Sequence, residues 1–448
     1  MIDFVLQTLD AHPYFFTFVL IVAALVIPEF FNIRNREEKA REKKQKAILE
    51  GAHEPPSIRP YVDLSKCMGS GACISACPEK EILQIIDGHA QIVNGSHCVG
   101  HGACERACPV NAIELVFGSE KRGIDIPAVR PDFQTNVPGI YIAGELGGMG
   151  LIANATEQGI QAVQNLEKTL PKKHSSEYDV LIVGGGPAGI AAGLQALSRG
   201  LKYVIVEQDE FGGAIRHYPR QKLVMTRQIF FPGYGKVKLS TIRKEQLVEL
   251  FQKIMAKTQL QITTRERVDG ISGTAETGFL VKTSRRQITA SRVVIAVGRR
   301  GTPRRLKVPG EEQEKVAYRL IDAELYSYKH IMVVGGGDSA VEAACSLSEQ
   351  PGNRVSLSYR KNVINRPKVA NIKRLKEAEE EGRINMLLES TVQKIELDRI
   401  MLKQRGEEIT LPNDYVFVFA GGILPTAFLQ NAGIQILTHR GKIVTVKE

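Results

Sequence analysis

Residues 180–207 read VLIVGGGPAGIAAGLQALSRGLKYVIVE, and no other stretch constrains the fold as tightly. Four apolar residues, 180–183, predict a short buried strand, and Gly184, Gly186 and Gly189 form a G-x-G-x-x-G turn. A helix is predicted over 187–199, opening on Pro187 and Ala188 and stopping at Gly200, a residue favoured just past a helix end. A second strand, 203–206, runs into Glu207. The first glycine permits the tight turn, the second lets backbone approach a pyrophosphate, and the third lets helix and strand pack closely. Unpaired N–H groups at the helix start attract the phosphates, and an acid ending the second strand accepts hydrogen bonds from ribose hydroxyls. The combination predicts a dinucleotide site; the bland alternative is an ordinary α/β turn.

A second turn of this kind lies in IMVVGGGDSAVEAACSL, residues 331–347, where Gly335, Gly337 and Ala340 give G-x-G-x-x-A and Asp338 and Ser339 open the helix. Its second strand, 354–358, ends without an acid. Tyr359, Arg360 and Lys361 follow instead, with Arg366 nearby. An acid there would bind the free 2′-hydroxyl of NADH, whereas arginines accommodate a 2′-phosphate, so NADPH is expected over NADH. For Lys361 and Arg366 a solvated basic turn is the plainer alternative. Cys345, inside the helix, reads as core.

At 448 residues the chain should hold roughly two to four domains. The formal charge is +10, but no nucleic-acid module accompanies it, so no nucleic-acid partner is expected. Eighteen uncharged residues, including FFTFVLIVAALVI, separate Asp10 from Glu29, enough for a transmembrane helix of about 17–25 residues. Asp3 and Asp10 precede the run without a Lys or Arg, which argues against a cleaved signal peptide. Residues 34–46 carry seven basic and three acidic side chains, and the positive-inside rule then expects a single-pass cell-membrane anchor with the remaining domains in the cytoplasm. A buried or interfacial helix is the alternative. Residues 34–59 read as a charged helical stalk ending in a linker with Pro55, Pro56 and Pro60.

Six of the seven cysteines fall between Cys67 and Cys108, which reads as metal or cluster ligation rather than disulfides. Cys67, Cys73 and Cys77-Pro78 recur 31 residues later as Cys98, Cys104 and Cys108-Pro109, and Ser70 matches His101 at the same offset. The pattern resembles the two-cluster bacterial ferredoxin, C-x2-C-x2-C-x3-C-P, over residues 60–117, with 82–93 as the hairpin between clusters. The second cysteine of each motif is replaced, by Ser70 and by His101. In that family the fourth cysteine of each motif serves the other cluster. The resemblance therefore implies one cluster on Cys67, Cys73 and Cys108 with Ser70 as a possible fourth ligand. A second would sit on Cys98, Cys104 and Cys77 with His101 as its possible fourth. A histidine ligand would raise the potential. Three-iron clusters, or four-iron clusters with an open corner, fit equally, and a Cys3His zinc site is the structural alternative.

Residues 135–145, TNVPGIYIAGE, and the helix-like LIANATEQGIQAVQNLEKTL after them resemble the closing segment of thioredoxin-reductase-like flavoproteins. There the segment delivers an acid to the flavin; here Gly144 and Glu145 occupy that place, with Glu for Asp. In those proteins it comes last, whereas here it precedes the first dinucleotide turn, which implies a circular permutation. A detached βα unit is the alternative. FGGAIRHYPRQKLVMT, residues 211–226, resembles the flavin-side loop of thioredoxin-reductase-like and bacillithiol-disulfide-reductase-like proteins, with Gly212 and Gly213 close to the flavin and Arg216, His217 and Tyr218 near its ring. His217 reads as a packed loop histidine, or as a proton donor. Residues 291–311 and 411–429, the latter with Gly421-Gly422, resemble the two crossovers between lobes.

The resemblance thus implies an α/β chain with two Rossmann-like lobes, for FAD and NAD(P)H, an α+β ferredoxin-like domain and one transmembrane helix. The expected boundaries are 1–33 for the anchor, 34–59 for the stalk, 60–117 for the ferredoxin-like domain and 118–170 for the displaced segment. The FAD lobe would span 178–298, the NAD(P)H lobe 299–412, and 413–448 would return to the first. No C-x-x-C occurs in this sequence to serve as a redox dithiol. The expected activity is electron transfer between NADPH, FAD and two iron–sulfur clusters, toward or from a partner protein or quinone, with a homodimer possible. The alternatives are reduction of a low-molecular-weight disulfide or quinone at the flavin, and a cofactor-binding redox sensor.

Overall fold

The computed structural model describes residues 13–49, 52–53, 58–79, 81–98, 100–118, 123–148, 151–218, 220–225, 228–239, 241–299, 302–423 and 425–440. The linker residues Pro55 and Pro56, and residues 1–12 and 441–448, lie outside them. The chain divides into two compact units, Met1–Pro55 with Pro60–Cys98 and Gly102–Leu115, and a larger one dominated by Val116–Glu448.

In the first unit a single helix runs Pro13–Leu49, 37 residues with Pro28 inside it. Strands Leu83–Ile86 and His89–Ile92 pair antiparallel around Asp87-Gly88, a two-residue hairpin turn. The helix's second half packs on this hairpin: Ala40 is buried with Ile86 and Val93, Arg41 pairs with Asp87, and Lys44 Nζ donates to Gln91 Oε1 at 2.7 Å. The expected stalk is therefore packed structure rather than a free spacer. The anchor expectation is corrected as well. Among the described residues no helix is long and apolar enough to cross a membrane. The apolar run meets Pro28 and Glu29 and continues into a charged half fixed to the hairpin. The single-pass cell-membrane location fails with it. Strands Ile58–Val62 and Ile113–Phe117 pair, and two short helices, Ala72–Ala76 and Ala103–Arg106, each carry one buried cysteine, Cys73 and Cys104.

The second unit is framed by its two largest sheets. In the first, strand Gln287–Ile295 takes Tyr178–Val183 as parallel neighbour on one side, and that strand pairs with Tyr203–Val206. Val180 and Ile182 enter the core on one face while Leu181 and Val183 enter that on the other, the period-two signature of a strand covered on both sides. The hairpin Val268–Thr274 and Gly278–Thr283 extends the sheet. Strand Ile140–Ile142 lies parallel to residues 293–295, so the displaced segment belongs to this sheet and is not a detached βα unit. Its helix, Ile152–Glu167, buries Ala162, Val163 and Leu166 completely, each large apolar side chain contributing about 1.5–3 kcal/mol. The helix lies so close to Pro187–Ser198 that a Cβ on Gly159 would run into the Ala188 carbonyl oxygen. Finally, Ile436–His439 pairs antiparallel with Ile124–Pro127, His439 opposite Ile124. Residues 440 and 123 are thereby neighbours, as the two ends of a permuted hairpin would be.

The second sheet is wholly parallel, in the order Val316–Ala317, Tyr415–Val418, His330–Val334, Arg354–Tyr359, Ile384–Leu388. Helices Asp338–Ser348 and Val369–Glu380 accompany it. The lobes are joined where Thr302–Pro303 pairs with Gly422–Ile423. Because Tyr415–Val418 belongs to this sheet, the return to the first lobe falls near residue 422 and not at 413.

Candidate dinucleotide and cluster sites

The first glycine turn is a cradle that larger residues would fill. Gly184 sits at φ +109°, and a Cβ there would lie 2.6 Å from the Ala296 carbonyl oxygen. A Cβ on Gly189 would run into the carbonyl oxygen of Gly184. Gly186 is extended and Pro187 opens the helix, whose first turn includes buried Ala188. Glu207 is 7% exposed; its Oε2 accepts from Gly185 N at 2.6 Å and its Oε1 from Asp209 N at 2.8 Å. The carboxylate thus braces the turn, and each oxygen keeps a lone pair for a ribose hydroxyl. Gly212 N donates to Gly185 O at 2.8 Å, and Gly213 follows against Gly186, so this loop closes over the turn.

The displaced segment reaches the same place. A Cβ on Gly144 would stand 3.0 Å from that of Ala188, and Gly144 N donates to Gln158 Oε1 at 2.8 Å. Glu145 begins the short turn Glu145–Gly147 there. Arg299 was missed in the sequence. Burial pushes its guanidinium down while Glu145 and Asp125 draw it back up, and its Nη2 donates to Asp125 O at 3.1 Å. A basic residue directly after Val297-Gly298, just beyond strand Gln287–Ile295, was the signal available. Loop residue His217 is held by Arg319, whose Nη1 lies 2.9 Å from Nδ1, and by Asp209 at 3.5 Å. Burial and the Arg319 charge push its pKa below 6.5, which gives a packed loop histidine. Arg216 stacks over Phe211 at 5.1 Å and Lys222 over Tyr218 at 5.4 Å. Arg220 pairs with Asp322 at 3.2 Å and Lys222 with Glu342 at 2.6 Å, so the loop is tied to the second lobe.

In the second cradle Gly335 has φ +148°, and a Cβ would meet Phe419 O at 2.6 Å and the fully buried Ala340 at 3.0 Å. Tyr359 is the last residue of its strand. It is 6% exposed, its ring fills the space a Gly336 side chain would need, and its hydroxyl finds no partner among the described residues. Asp338 is committed elsewhere: its Oδ1 accepts from Lys368 N at 2.9 Å and Asn371 Nδ2 at 2.6 Å, fastening the next helix. Ser339 is half-buried in the first helical turn, while Arg360, Lys361 and Arg366 are exposed beyond the strand end. Cys345 is fully buried core.

The cysteines fall into two groups of neighbours. Cys67, Ser70, Cys73 and Cys108 line one cavity, with Ala90 and Ile113 behind them. Burial, then the neighbouring Cys67 and Cys108, pushes the Cys73 thiol up. Burial, then Cys98 with Cys77 further off, pushes Cys104 to about 11. Thiols so disfavoured as bare anions need bound cations to ionise. Ala90 N donates to Cys67 Sγ at 3.4 Å and Ala112 N to Cys108 Sγ at 3.2 Å. Among the described residues no three Cys, His, Asp or Glu side chains come close enough to share a single metal ion. Three thiols around a cavity suit a cluster, each iron taking one thiolate. His101 is half-buried on the turn before Ala103–Arg106.

Fold and cradles define a two-lobed dinucleotide oxidoreductase. Residues 181–448 match the pyridine nucleotide-disulphide oxidoreductase family, and the chain belongs to it. Residues 59–109 match the 4Fe-4S dicluster domain. The bacilliredoxin reductase of Bacillus subtilis (strain 168) is 26% identical over 275 residues, 58% of this chain and 82% of that protein. A ferredoxin–NADP reductase of Thermus thermophilus is 31% identical over 279 residues, 60% and 80% of the two chains. The bacillithiol disulfide reductase of Staphylococcus aureus superposes with a TM-score of 0.52 at 25% identity, over 58% of this chain and 80% of its own. The chain is accordingly an oxidoreductase whose cofactors are FAD, NADPH and iron–sulfur clusters.

Proposed function

We propose that the protein passes electrons between NADPH, FAD and two iron–sulfur clusters, and through them to or from a separate one-electron partner. One observation carries this reading: two glycine cradles and two cysteine triads occur in one chain, each triad drawing thiols from both halves of the repeat. The Thermus relative is named for exchange between ferredoxin and NADP; here a ferredoxin-like unit is part of the same polypeptide. When bound, FAD exchanges electron pairs with a nicotinamide and single electrons with a cluster.

The chain's own residues bind and orient. Gly184, Gly186, Gly189 and the start of helix Pro187–Ser198 hold the FAD pyrophosphate, and Glu207 holds a ribose. Gly212 and Gly213 cover that turn, while Gly144 and Glu145 reach it from the displaced segment. Gly335, Gly337 and Ala340 receive the NADPH pyrophosphate, and Arg360 and Lys361 take its 2′-phosphate. Cys67, Cys73 and Cys108 hold one cluster; Cys77, Cys98 and Cys104, with His101, hold the other.

The test is anaerobic purification with counts of iron, sulfide and flavin, then NADPH titration followed by optical and EPR spectroscopy. Reduction should pass through flavin to iron. Bleaching of the flavin with no electron reaching iron would overturn the proposal. The bacilliredoxin reductase likeness favours one other reading, reduction of a small disulfide at the flavin. It would show as NADPH oxidation by such a disulfide that survives removal of iron.

A further inference from the structure

The two triads differ in their surroundings. Cys77, Cys98 and Cys104 are 8%, 7% and 9% exposed. Cys67 and Cys108 are only half-buried, Ser70 is exposed, and the rim beside them holds Met68 at 66% and Val110 at 36% exposure. The cavity that Cys67, Cys73 and Cys108 share with Ser70 therefore reaches the surface at its serine side. Hydrogen bonds donated by the Ala90 and Ala112 amides hold two of the three cysteine sulfurs in place, while the fourth position offers a hydroxyl. An alcohol is far harder to ionise than a thiol, whose reference pKa is near 8.5, so the iron facing Ser70 has the weakest ligand and the shortest way out.

We infer that this cavity is an exchangeable Fe(II) site: the cluster it holds has one labile iron, at the Ser70 corner, released on oxidation and taken back on reduction. The inference rests on the reading that these thiols hold a cluster. The step balances as [4Fe-4S]2+ giving [3Fe-4S]+, Fe2+ and one electron, the electron going to a one-electron oxidant. The three Cys–Fe bonds persist, and the bonds that break join the fourth iron to three sulfides and its solvent-side ligand. The other triad, its cysteines buried and its fourth position a half-buried imidazole at His101 rather than a hydroxyl, keeps its iron under the same treatment.

The experiment uses the full anaerobically purified chain, titrated with ferricyanide and followed by iron analysis and EPR. The wild type should lose one iron per chain and develop the signal of an oxidised three-iron cluster, and Fe(II) with a thiol reductant should reverse both. Ser70→Cys should keep all its iron and develop no such signal. A wild type that retains all its iron, or a Ser70→Cys chain with the same signal at the same intensity, overturns the inference. Isotopically labelled Fe(II) supplies a check that needs no variant: label should enter one site of the wild-type protein, and uniform or absent incorporation overturns the inference. Intact clusters that NADPH reduces but that never release iron leave the electron-transfer reading standing and sink this one alone. A chain without iron or sulfide sinks both.

Discussion

Arg360 and Lys361 stand exposed at the end of the strand where an NADH-binding lobe would place an acid. A charge-assisted hydrogen bond contributes about 1.5–3 kcal/mol, so Arg360→Ala with Lys361→Ala should raise KM for NADPH by about 10–100-fold. The KM for NADH should stay put, and steady-state kinetics with both nucleotides reads the difference. At the second triad His101→Cys exchanges a neutral nitrogen for a thiolate and should lower that cluster's midpoint in EPR-monitored potentiometry. An identical spectrum and midpoint would remove His101 from the ligand set. The glycines of both cradles were legible in the sequence because their spacing reports a steric need. The commitments of Asp338 to Asn371 and of Glu207 to Gly185 were not, since a carboxylate at a given position does not reveal which donors folding brings to it.

Between elements, helix Ile152–Glu167 packs closely on Pro187–Ser198 at Gly159. Gly159→Ala would force the two apart, and overpacking of this kind costs about 1–3 kcal/mol. The variant should show a lower melting temperature and retain less flavin after gel filtration. The loop linking the lobes should carry a pH signature. His217, facing Asp209, Arg319 and Lys244, has its folded pKa pushed below 6.5, so the folded chain prefers the neutral ring. Its contribution is present above that value and is lost as pH falls through the folded pKa. Urea midpoints measured between about pH 7.5 and about pH 5 should decline less steeply for His217→Asn than for the wild type. Such links across lobes escape sequence reading because Arg319 is 102 residues from His217. Periodicity also failed to place strand Tyr415–Val418, whose apolar run suits either sheet.

Over the whole molecule, the resemblance to a two-cluster ferredoxin grouped Cys67, Cys73 and Cys108, which line one cavity, and the early appearance of TNVPGIYIAGE pointed to a reordered lobe. The apolar run misled because composition alone does not show that Pro13–Leu49 is one helix whose charged half packs on a hairpin. The reordering can be tested by building. A chain with residues 123–170 moved behind 440 through a short turn should fold, bind flavin and give the same visible spectrum. Loss of flavin would mean that the present order is required for assembly.

The pairing of Ile436–His439 with Ile124–Pro127 also sets a timetable during synthesis on the ribosome. The hairpin and the two cysteine-bearing short helices leave the ribosome before any strand of the flavin lobe. The flavin lobe cannot close before Ile436–His439 is made, so all six clustered cysteines are translated before that lobe is complete.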